Sequence, residues 1–145
     1  MKIYLASRYG RRAELCGYKK ILEELGYVVT SRWLSGDHAI GGSDSPPDGD
    51  DGEMSQQAIE NRRQFAEEDV EDVRACDLLI AFTEPETSPY SRGGRHVELG
   101  IAIGTFTDVL IVGHRENIFC WLPDVSFAKT FDEALAMPIL ADNQP

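Results

Sequence analysis

Five consecutive apolar residues, Leu78 to Phe82, lie near the middle of this 145-residue chain. A short run without a polar position is typical of a strand buried on both faces, as found at the centre of a parallel sheet. Similar short runs occur at Lys2 to Ala6, Tyr27 to Ser31, Asp108 to Val112 and Val125 to Phe127. The chain is therefore expected to form about five strands.

Segments with helical spacing or helix-end signals separate these runs. They are Arg11 to Leu25, Gln56 to Ala75 and Gly94 to Gly104. A last helix is predicted to begin at a capping box, Thr130 to Glu133, and to end at Pro138. The alternation predicts one α/β domain over residues 1–145, an open parallel sheet with helices on both faces, of the flavodoxin- or Rossmann-like kind. In such a sheet, ligands bind outside the carboxyl ends of the strands.

The net charge of −11 is concentrated in one part of the chain. Residues 36–72 contain twelve acidic residues, against only Arg62 and Arg63 as basic ones. An acidic protein of this kind is not expected to bind nucleic acid polymers or an anionic membrane, because both need a basic face. Outside this segment the chain is close to neutral, so a local group of arginines can still bind an anionic small molecule.

Residues 35–55, within the acidic segment, are rich in glycine, proline, serine and aspartate and predict a mobile loop. A substrate lid and a disordered excursion are both compatible with this composition. The aspartates lack the spacing of a calcium loop, and the three cysteines and three histidines lack zinc spacing, so no metal or other cofactor is expected. Without a signal peptide or membrane span in the sequence, the expected location is the cytoplasm.

The stretch Ser91 to Gly104, SRGGRHVELGIAIG, combines a glycine-rich turn with the start of a helix. Free backbone N–H groups and the helix dipole there favour an anion, and Arg92 and Arg95 flank the two glycines. Glu98 follows on the helix. On this pattern alone, Glu98 is as compatible with a simple dipole partner as with a catalytic carboxylate.

Three segments, KIYLASRYGRR at the N-terminus, DVEDVRACDLLIAF and GGRHVELGIAIG, together resemble the nucleoside 2-deoxyribosyltransferase family. Its superfamily also contains nucleoside 5′-monophosphate N-glycosidases. The resemblance implies that Glu98 attacks the anomeric carbon of the sugar, that Tyr4 lies beside it, and that Asp69 contacts the substrate. It also implies a homodimer or larger homo-oligomer, in which Asn117 reaches a neighbouring subunit's site.

One position departs from the family pattern. Six residues before the nucleophile the family has an aspartate in nucleoside enzymes and a serine in monophosphate hydrolases, whereas this chain has Arg92. A cradle for a 5′-phosphate is expected at this turn and at the turn after the first strand. Its predicted members are Ser7, Arg8, Ser91, Arg92, Gly93, Gly94 and Arg95.

The leading functional hypothesis is therefore cleavage of the N-glycosidic bond of a (deoxy)nucleoside or (deoxy)nucleotide, with transfer of the deoxyribosyl group to another base. The first alternative is a hydrolase that releases the free base from a 5′-monophosphate, and the second is a nucleotide-binding protein without activity. Simpler roles also stay open at this stage. Tyr4 could only pack in the sheet and Asp69 could only face solvent. Arg92 and Arg95 could pair with Glu84, Glu86 or the acidic loop.

Overall fold

The computed structural model describes residues 1–36, 38, 56–85 and 93–142. Most of the predicted acidic loop, together with Ser91 and Arg92, lies outside the described residues. The strands are β1 (Lys2–Ala6), β2 (Val28–Val29), β3 (Leu78–Phe82), β4 (Asp108–Val112) and β5 (Val125–Ala128). The α-helices are α1 (Arg12–Glu24), α2 (Gln56–Ala75), α3 (Gly94–Gly104), α4 (Phe131–Leu135) and α5 (Pro138–Ala141), and short 3₁₀ helices span Tyr9–Arg11, Arg32–Ser35 and Ile118–Trp121.

The five strands form one parallel sheet in the order β2-β1-β3-β4-β5. The chain runs outward to β2 on one side and then through β3, β4 and β5 on the other. With right-handed crossovers, α1 lies on the opposite face of the sheet from α2 and α3. The predicted fold class is confirmed, and the strand order places its switch point between β1 and β3.

β3 lies in the middle of the sheet, as its continuous apolar sequence predicts. It pairs with β1, where Ile3 lies beside Leu78, and with β4, where Asp108 lies on the other side of Leu78. Every residue of β3 is buried. The centre of the sheet is therefore closely packed on both faces. It holds the residues that follow β1 and β3 at fixed positions at the carboxyl ends of these strands.

The second strand is shorter than predicted, at two residues rather than five. The Thr30 N–H still donates to the Ile3 carbonyl at 2.8 Å, and beyond Thr30 side chains replace the hydrogen bonds between the strands. The N–H of Leu5 donates to Ser31 Oγ at 2.7 Å, and Trp33 Nε1 donates to the Leu5 carbonyl at 2.9 Å. The backbone groups of β1 are thus satisfied without a longer β2.

The prediction for Pro138 is wrong in one respect. The helix opened by Thr130 ends at Leu135, and Pro138 begins the further helix α5 instead of only ending the preceding one. Proline is suited to a first helical turn because its missing N–H has no partner there in any case. The Thr130 cap itself is present, since Thr130 Oγ1 accepts a hydrogen bond from the N–H of Glu133 at 3.2 Å.

None of the helices in the described ranges combines the length and the apolar character needed to cross a bilayer.

Candidate active site

Tyr4, Asp69 and Glu98 come together from three elements at the switch point of the sheet. Tyr4 lies on β1, Asp69 near the end of α2 and Glu98 in the middle of α3. The Tyr4 hydroxyl is 2.7 Å from Glu98 Oε1 and 3.4 Å from Asp69 Oδ1. Because a phenol has one proton to donate, its shorter and stronger hydrogen bond goes to Glu98.

Tyr4 is fully buried, and its ring is fixed between the sheet and the two helices. Burial, followed by the charge of Glu98, raises the pKa of Tyr4 well above its ordinary value. The hydroxyl therefore stays protonated at any physiological pH and serves as a permanent donor between the two carboxyl groups.

Glu98 is the most perturbed carboxyl group of this cluster. Burial is the largest cause and raises its pKa from 4.5 to about 8, while the Tyr4 hydrogen bond and the Arg95 charge act in the opposite direction. Glu98 Oε2 is buried and has no hydrogen-bond partner among the described residues. A buried carboxylate oxygen with an unused lone pair is unusual in a native fold, and it is available to a reacting atom.

Asp69 is only half-buried, and burial is again the largest cause that raises its pKa, from 3.8 to about 6. His38 acts in the opposite direction. Its Nε2 lies 3.2 Å from Glu68 Oε2 and 3.9 Å from Asp69 Oδ1, and its ring packs at 4.4 Å on Phe65. His38 was not predicted as a site residue, because no local pattern indicates that an isolated histidine in a long loop contacts α2.

The start of α3 depends on glycine. Gly93, which precedes the helix, has a φ of +82°, a left-handed value that most other residues reach only with strain. The helix has no side-chain cap at this end. Gly93 therefore offers no side-chain acceptor to the N–H groups of this turn, and anion binding there stays a prediction.

Arg95 is buried, and its guanidinium forms an ion pair with Glu116, after β4. An ion pair between an arginine of this turn and an acidic residue was one of the open alternatives, and Arg95 forms such a pair with Glu116. Glu84 pairs with Arg8 and Arg11 instead, and Glu86 lies outside the described residues. No local signal identifies Glu116 as a partner, since the two residues are far apart in the sequence. A direct contact between Arg95 and substrate stays a prediction.

Ser7 and Arg8 follow β1 at the same edge of the sheet. Ser7 Oγ is buried and has no hydrogen-bond partner within the described parts of the chain. Arg8 Nε lies 3.2 Å from Glu84 Oε1, and Arg11 Nη1 lies 3.3 Å from the same oxygen. The carboxyl ends of β1 and β3 thus present two arginines and one carboxylate close to the Tyr4 cluster.

Asn117 lies after β4, where it caps the 3₁₀ helix Ile118–Trp121. Its Oδ1 accepts a hydrogen bond from the N–H of Phe119 at 2.9 Å, and its Nδ2 lies 3.5 Å from His96 Nδ1. It therefore lies beside the first turn of α3 without contacting Glu98. Its predicted role towards a neighbouring subunit stays a prediction.

Two cavities open near this edge of the sheet. One of about 400 Å³ lies between the ends of β3 and β4 and the start of α4, and it is lined by Arg11, Glu84 and Lys129 among others. The other, of about 440 Å³, is lined by Arg32, His38 and Glu68 among others. Neither lining includes Tyr4 or Glu98. The Tyr4 cluster is the candidate site because its two carboxyl groups are perturbed and lie within reach of one hydroxyl.

Within residues 1–36, 38, 56–85 and 93–142, no group of three histidine, cysteine, aspartate or glutamate side chains is arranged to hold a metal ion.

The sequence was compared with protein-family models and with curated proteins. The family model described as Nucleoside 2-deoxyribosyltransferase matches residues 3–124 of the chain. Among curated proteins, none matches the sequence significantly.

Two solved structures have the same fold. One is a 2-deoxyribosyltransferase from the psychrotolerant bacterium Bacillus psychrosaccharolyticus, with 18% identity, a TM-score of 0.64, and 92% of this chain aligned to 90% of that chain. The other is a CMP N-glycosidase from Clostridium botulinum, with 19% identity, a TM-score of 0.57, and 94% of this chain aligned to 96% of that chain. At this level of identity the two structures establish a shared fold and no more.

Proposed function

The chain belongs to the nucleoside 2-deoxyribosyltransferase family, and on that basis we propose that it cleaves the N-glycosidic bond of a (deoxy)nucleoside or (deoxy)nucleotide with Glu98 as the nucleophile. In the proposed reaction the deoxyribosyl group is then transferred to another base. The observation that carries the proposal is the Tyr4–Glu98–Asp69 cluster, in which Glu98 Oε2 is buried and has no partner among the described residues.

In the first step, Glu98 Oε2 attacks the anomeric carbon C1′ while the bond from C1′ to the base nitrogen breaks. The bonding electrons leave with the base, and Asp69 gives it a proton, so the products are a glycosyl ester on Glu98 and a neutral base. Tyr4 keeps its hydrogen bond to Oε1 and holds the carboxyl group in line. The positive charge that develops on the sugar is stabilised by the same carboxylate.

In the second step, a nitrogen of another base attacks C1′, Glu98 leaves as a carboxylate, and the incoming base loses its proton to Asp69. If water attacks instead, the same steps give hydrolysis. The difference between a transferase and a hydrolase therefore lies in what occupies the base site after the first base leaves.

A second candidate function is hydrolysis of a nucleoside 5′-monophosphate. It is favoured by Arg92, which stands six residues before Glu98, and by the ion-paired Arg8. Ser7 Oγ, which is buried and has no hydrogen-bond partner among the described residues, also favours it. In this proposal Ser7, Arg8, Ser91, Arg92, Gly93 and Gly94 bind the 5′-phosphate, with arginine as a bidentate ligand and the glycines giving free N–H groups.

A substrate panel tests these proposals. The purified protein is mixed with deoxynucleosides, ribonucleosides and their 5′-monophosphates, each with and without a second free base, and products are separated by chromatography. Exchange of bases supports the transferase, and release of base from monophosphates alone supports the hydrolase. Tight nucleotide binding without any product would contradict both and support a binding protein.

We also propose that the protein acts as a homodimer or larger homo-oligomer. Ile118, Phe119 and Trp121, beside Asn117, are 79%, 56% and 68% exposed, and Val97 on the outer face of α3 is 62% exposed. Clustered apolar side chains of this size are typical of a contact surface. Its position next to Asn117 agrees with the role that the family resemblance implies for that residue.

A further inference from the structure

Arg95 lies one helical turn before Glu98 and has its guanidinium inside the protein. The residue is 6% exposed. Its Nη1 donates to the carbonyl of Phe82, the last residue of β3, at 3.3 Å, and its Nη2 pairs with Glu116 Oε2. The guanidinium is therefore buried and bonded to two protein groups, a backbone carbonyl and a carboxylate.

Glu116 is the centre of a small network that joins three elements. Its Oε2 pairs with Arg95 on α3, and its Oε1 accepts a hydrogen bond from the N–H of Glu84 at 2.8 Å. Next to it, the N–H of Thr83 donates to the Val112 carbonyl at 2.9 Å. The network therefore fastens the first turn of α3 to the segments that follow β3 and β4.

The sequence explains why α3 needs such an attachment. Gly93 precedes the helix and Gly94 is its first residue, and glycine has the widest backbone freedom of any residue. Gly93 at the N-cap also has no side chain, so the usual hydrogen bond from an N-cap side chain to the first turn is missing. Without Arg95, a small rotation of this turn would carry Glu98 away from Tyr4.

Arg95 also acts on Glu98 through its charge. The charged and titratable groups that face Glu98 among the described residues are Tyr4 on β1, Asp69 on α2 and Arg95 on α3 itself. Arg95 is the cation of this set, and it lowers the pKa of Glu98 against the larger effect of burial. It therefore favours the ionised form that a nucleophile needs.

We propose that Arg95, held by Glu116, is a positioning residue that fixes the Glu98 carboxyl group against Tyr4, and that it is not a ligand of the substrate's phosphate. The inference rests on the proposed function, in which Glu98 attacks the sugar. It replaces the expectation that Arg95 belongs to the phosphate cradle and leaves that role to Arg8 and Arg92.

The kinetic test compares Arg95→Met, Arg95→Lys and, as a matched control, Arg63→Met, which removes an arginine paired with Glu60 on the exposed face of α2. Arg95→Met should lower kcat roughly 10- to 100-fold, because the carboxyl group is misplaced, and leave KM for a monophosphate unchanged. Arg95→Lys should recover part of kcat, since its ammonium can still pair with Glu116. Arg63→Met should match the wild type.

Two results would overturn the proposal. One is wild-type kcat in folded Arg95→Met, and the other is a raised KM for the monophosphate but not for the nucleoside, which would make Arg95 a phosphate ligand. If Arg95→Met does not fold, Glu116→Gln decides. This variant keeps an acceptor for the Glu84 N–H, so a lower kcat with unchanged KM supports the proposal and wild-type kcat refutes it.

A second readout needs no turnover. The Glu98 side-chain carboxyl group is titrated by ¹³C NMR in the wild type, Arg95→Met and Arg63→Met. The pKa of Glu98 should rise in folded Arg95→Met only, and an unmoved titration there would refute the positioning role. Failure of the wild type to release base from any nucleoside or nucleotide would instead refute the proposed function, so the two failures are distinguishable.

Discussion

Glu98 and Asp69 are two carboxyl groups that compete for one phenol proton. Burial raises the pKa of Glu98 to about 8 and that of Asp69 to about 6. Between these values the pair holds one proton and one negative charge, and Tyr4 lies within reach of both groups. Because the two groups interact, these are properties of the pair, and the proton can pass to Asp69 when a substrate stabilises the Glu98 carboxylate.

The pH dependence of activity follows from this shared proton. The proposed reaction needs one carboxylate and one acid, so kcat/KM should be bell-shaped, with limbs near pH 6 and pH 8. Base release measured from pH 4 to pH 10 tests this expectation.

The variant Asp69→Asn serves as the internal comparison for the pH profile. It cannot act as an acid, so its residual activity should lose the alkaline limb. Its acid limb should then follow the ionisation of Glu98 alone and lie above the wild-type limb near pH 6. A wild-type profile that continues to rise through pH 10, or an unchanged alkaline limb in Asp69→Asn, would contradict the shared-proton account.

Glu98 should also destabilise the fold at alkaline pH. The pKa of Glu98 is higher in the folded protein than in the unfolded chain, so between these two values the folded state binds a proton that the unfolded state has lost. The free energy of unfolding therefore falls as the pH rises from about 4.5 towards 8. The free energy of unfolding should fall by at most about 1.4 kcal/mol per pH unit from this group. Glu98→Gln carries no buried charge and should gain stability over the wild type at pH 9 but not at pH 4.

Urea unfolding at pH 4 and pH 9 measures this effect. Glu67→Gln, on the exposed side of α2, is the matched control and should differ from the wild type equally at both values of pH. Equal differences for Glu98→Gln at the two pH values would show that its carboxyl group is not held protonated by burial.

At the scale of helices and strands, the C-terminal end of α3 contains a residue in an unfavourable conformation. Phe106 has a φ of +58° and is 95% exposed. The Thr107 N–H donates to the Ala102 carbonyl at 2.9 Å and the Phe106 N–H to the Ile103 carbonyl at 3.2 Å, which is the Schellman pattern that usually has glycine at this position.

Phe106→Gly should therefore stabilise the protein. The left-handed conformation costs about 1–2 kcal/mol for a residue with a Cβ, and the flexibility of glycine in the unfolded chain takes back part of the gain. A net gain of up to about 1 kcal/mol corresponds to a rise in Tm of about 2–4 °C. Calorimetry measures it, and a lower Tm would mean that the Phe106 ring has a stabilising contact.

The bounds of the helices and strands show how much of the fold the sequence can predict. The bounds of α2, β3, α3 and β4 agree with the prediction, because continuous apolar runs and helix signals determine them locally. The length of β2 does not, since it depends on Ser31 and Trp33 bonding to Leu5 across the sheet. Pro138 has both a stopping and a starting role, and only the neighbouring backbone decides between them.

At the site, Tyr4, Asp69 and Glu98 were expected to lie together because of the family resemblance, and the structure brings them within hydrogen-bonding distance. His38 and Glu116 were not predicted. Each contacts a partner from a distant element, and single residues in connecting segments have no periodicity that would reveal such a contact.

For the whole molecule, the exposed apolar cluster around Ile118 leads to a prediction about assembly. Ile118→Asp places a charge on the proposed contact surface and should convert the oligomer to a monomer, because an unpaired charge is costly to bury. Ile21→Asp, an exposed position on α1, is the control and should leave assembly unchanged. Light scattering coupled to gel filtration measures both, and a wild type of single-chain mass would contradict the proposed oligomer.

The central claim is that Glu98 performs the chemistry, and the most direct test is base release by Glu98→Gln beside the wild type on whichever nucleoside or nucleotide the wild type cleaves. The glutamine is close in shape and can accept the Tyr4 hydrogen bond, but it is a very weak nucleophile. We predict a loss of roughly 10³-fold or more in kcat with the fold intact. Base release by folded Glu98→Gln within about tenfold of the wild type would contradict the account, because that is far less than loss of a nucleophile costs.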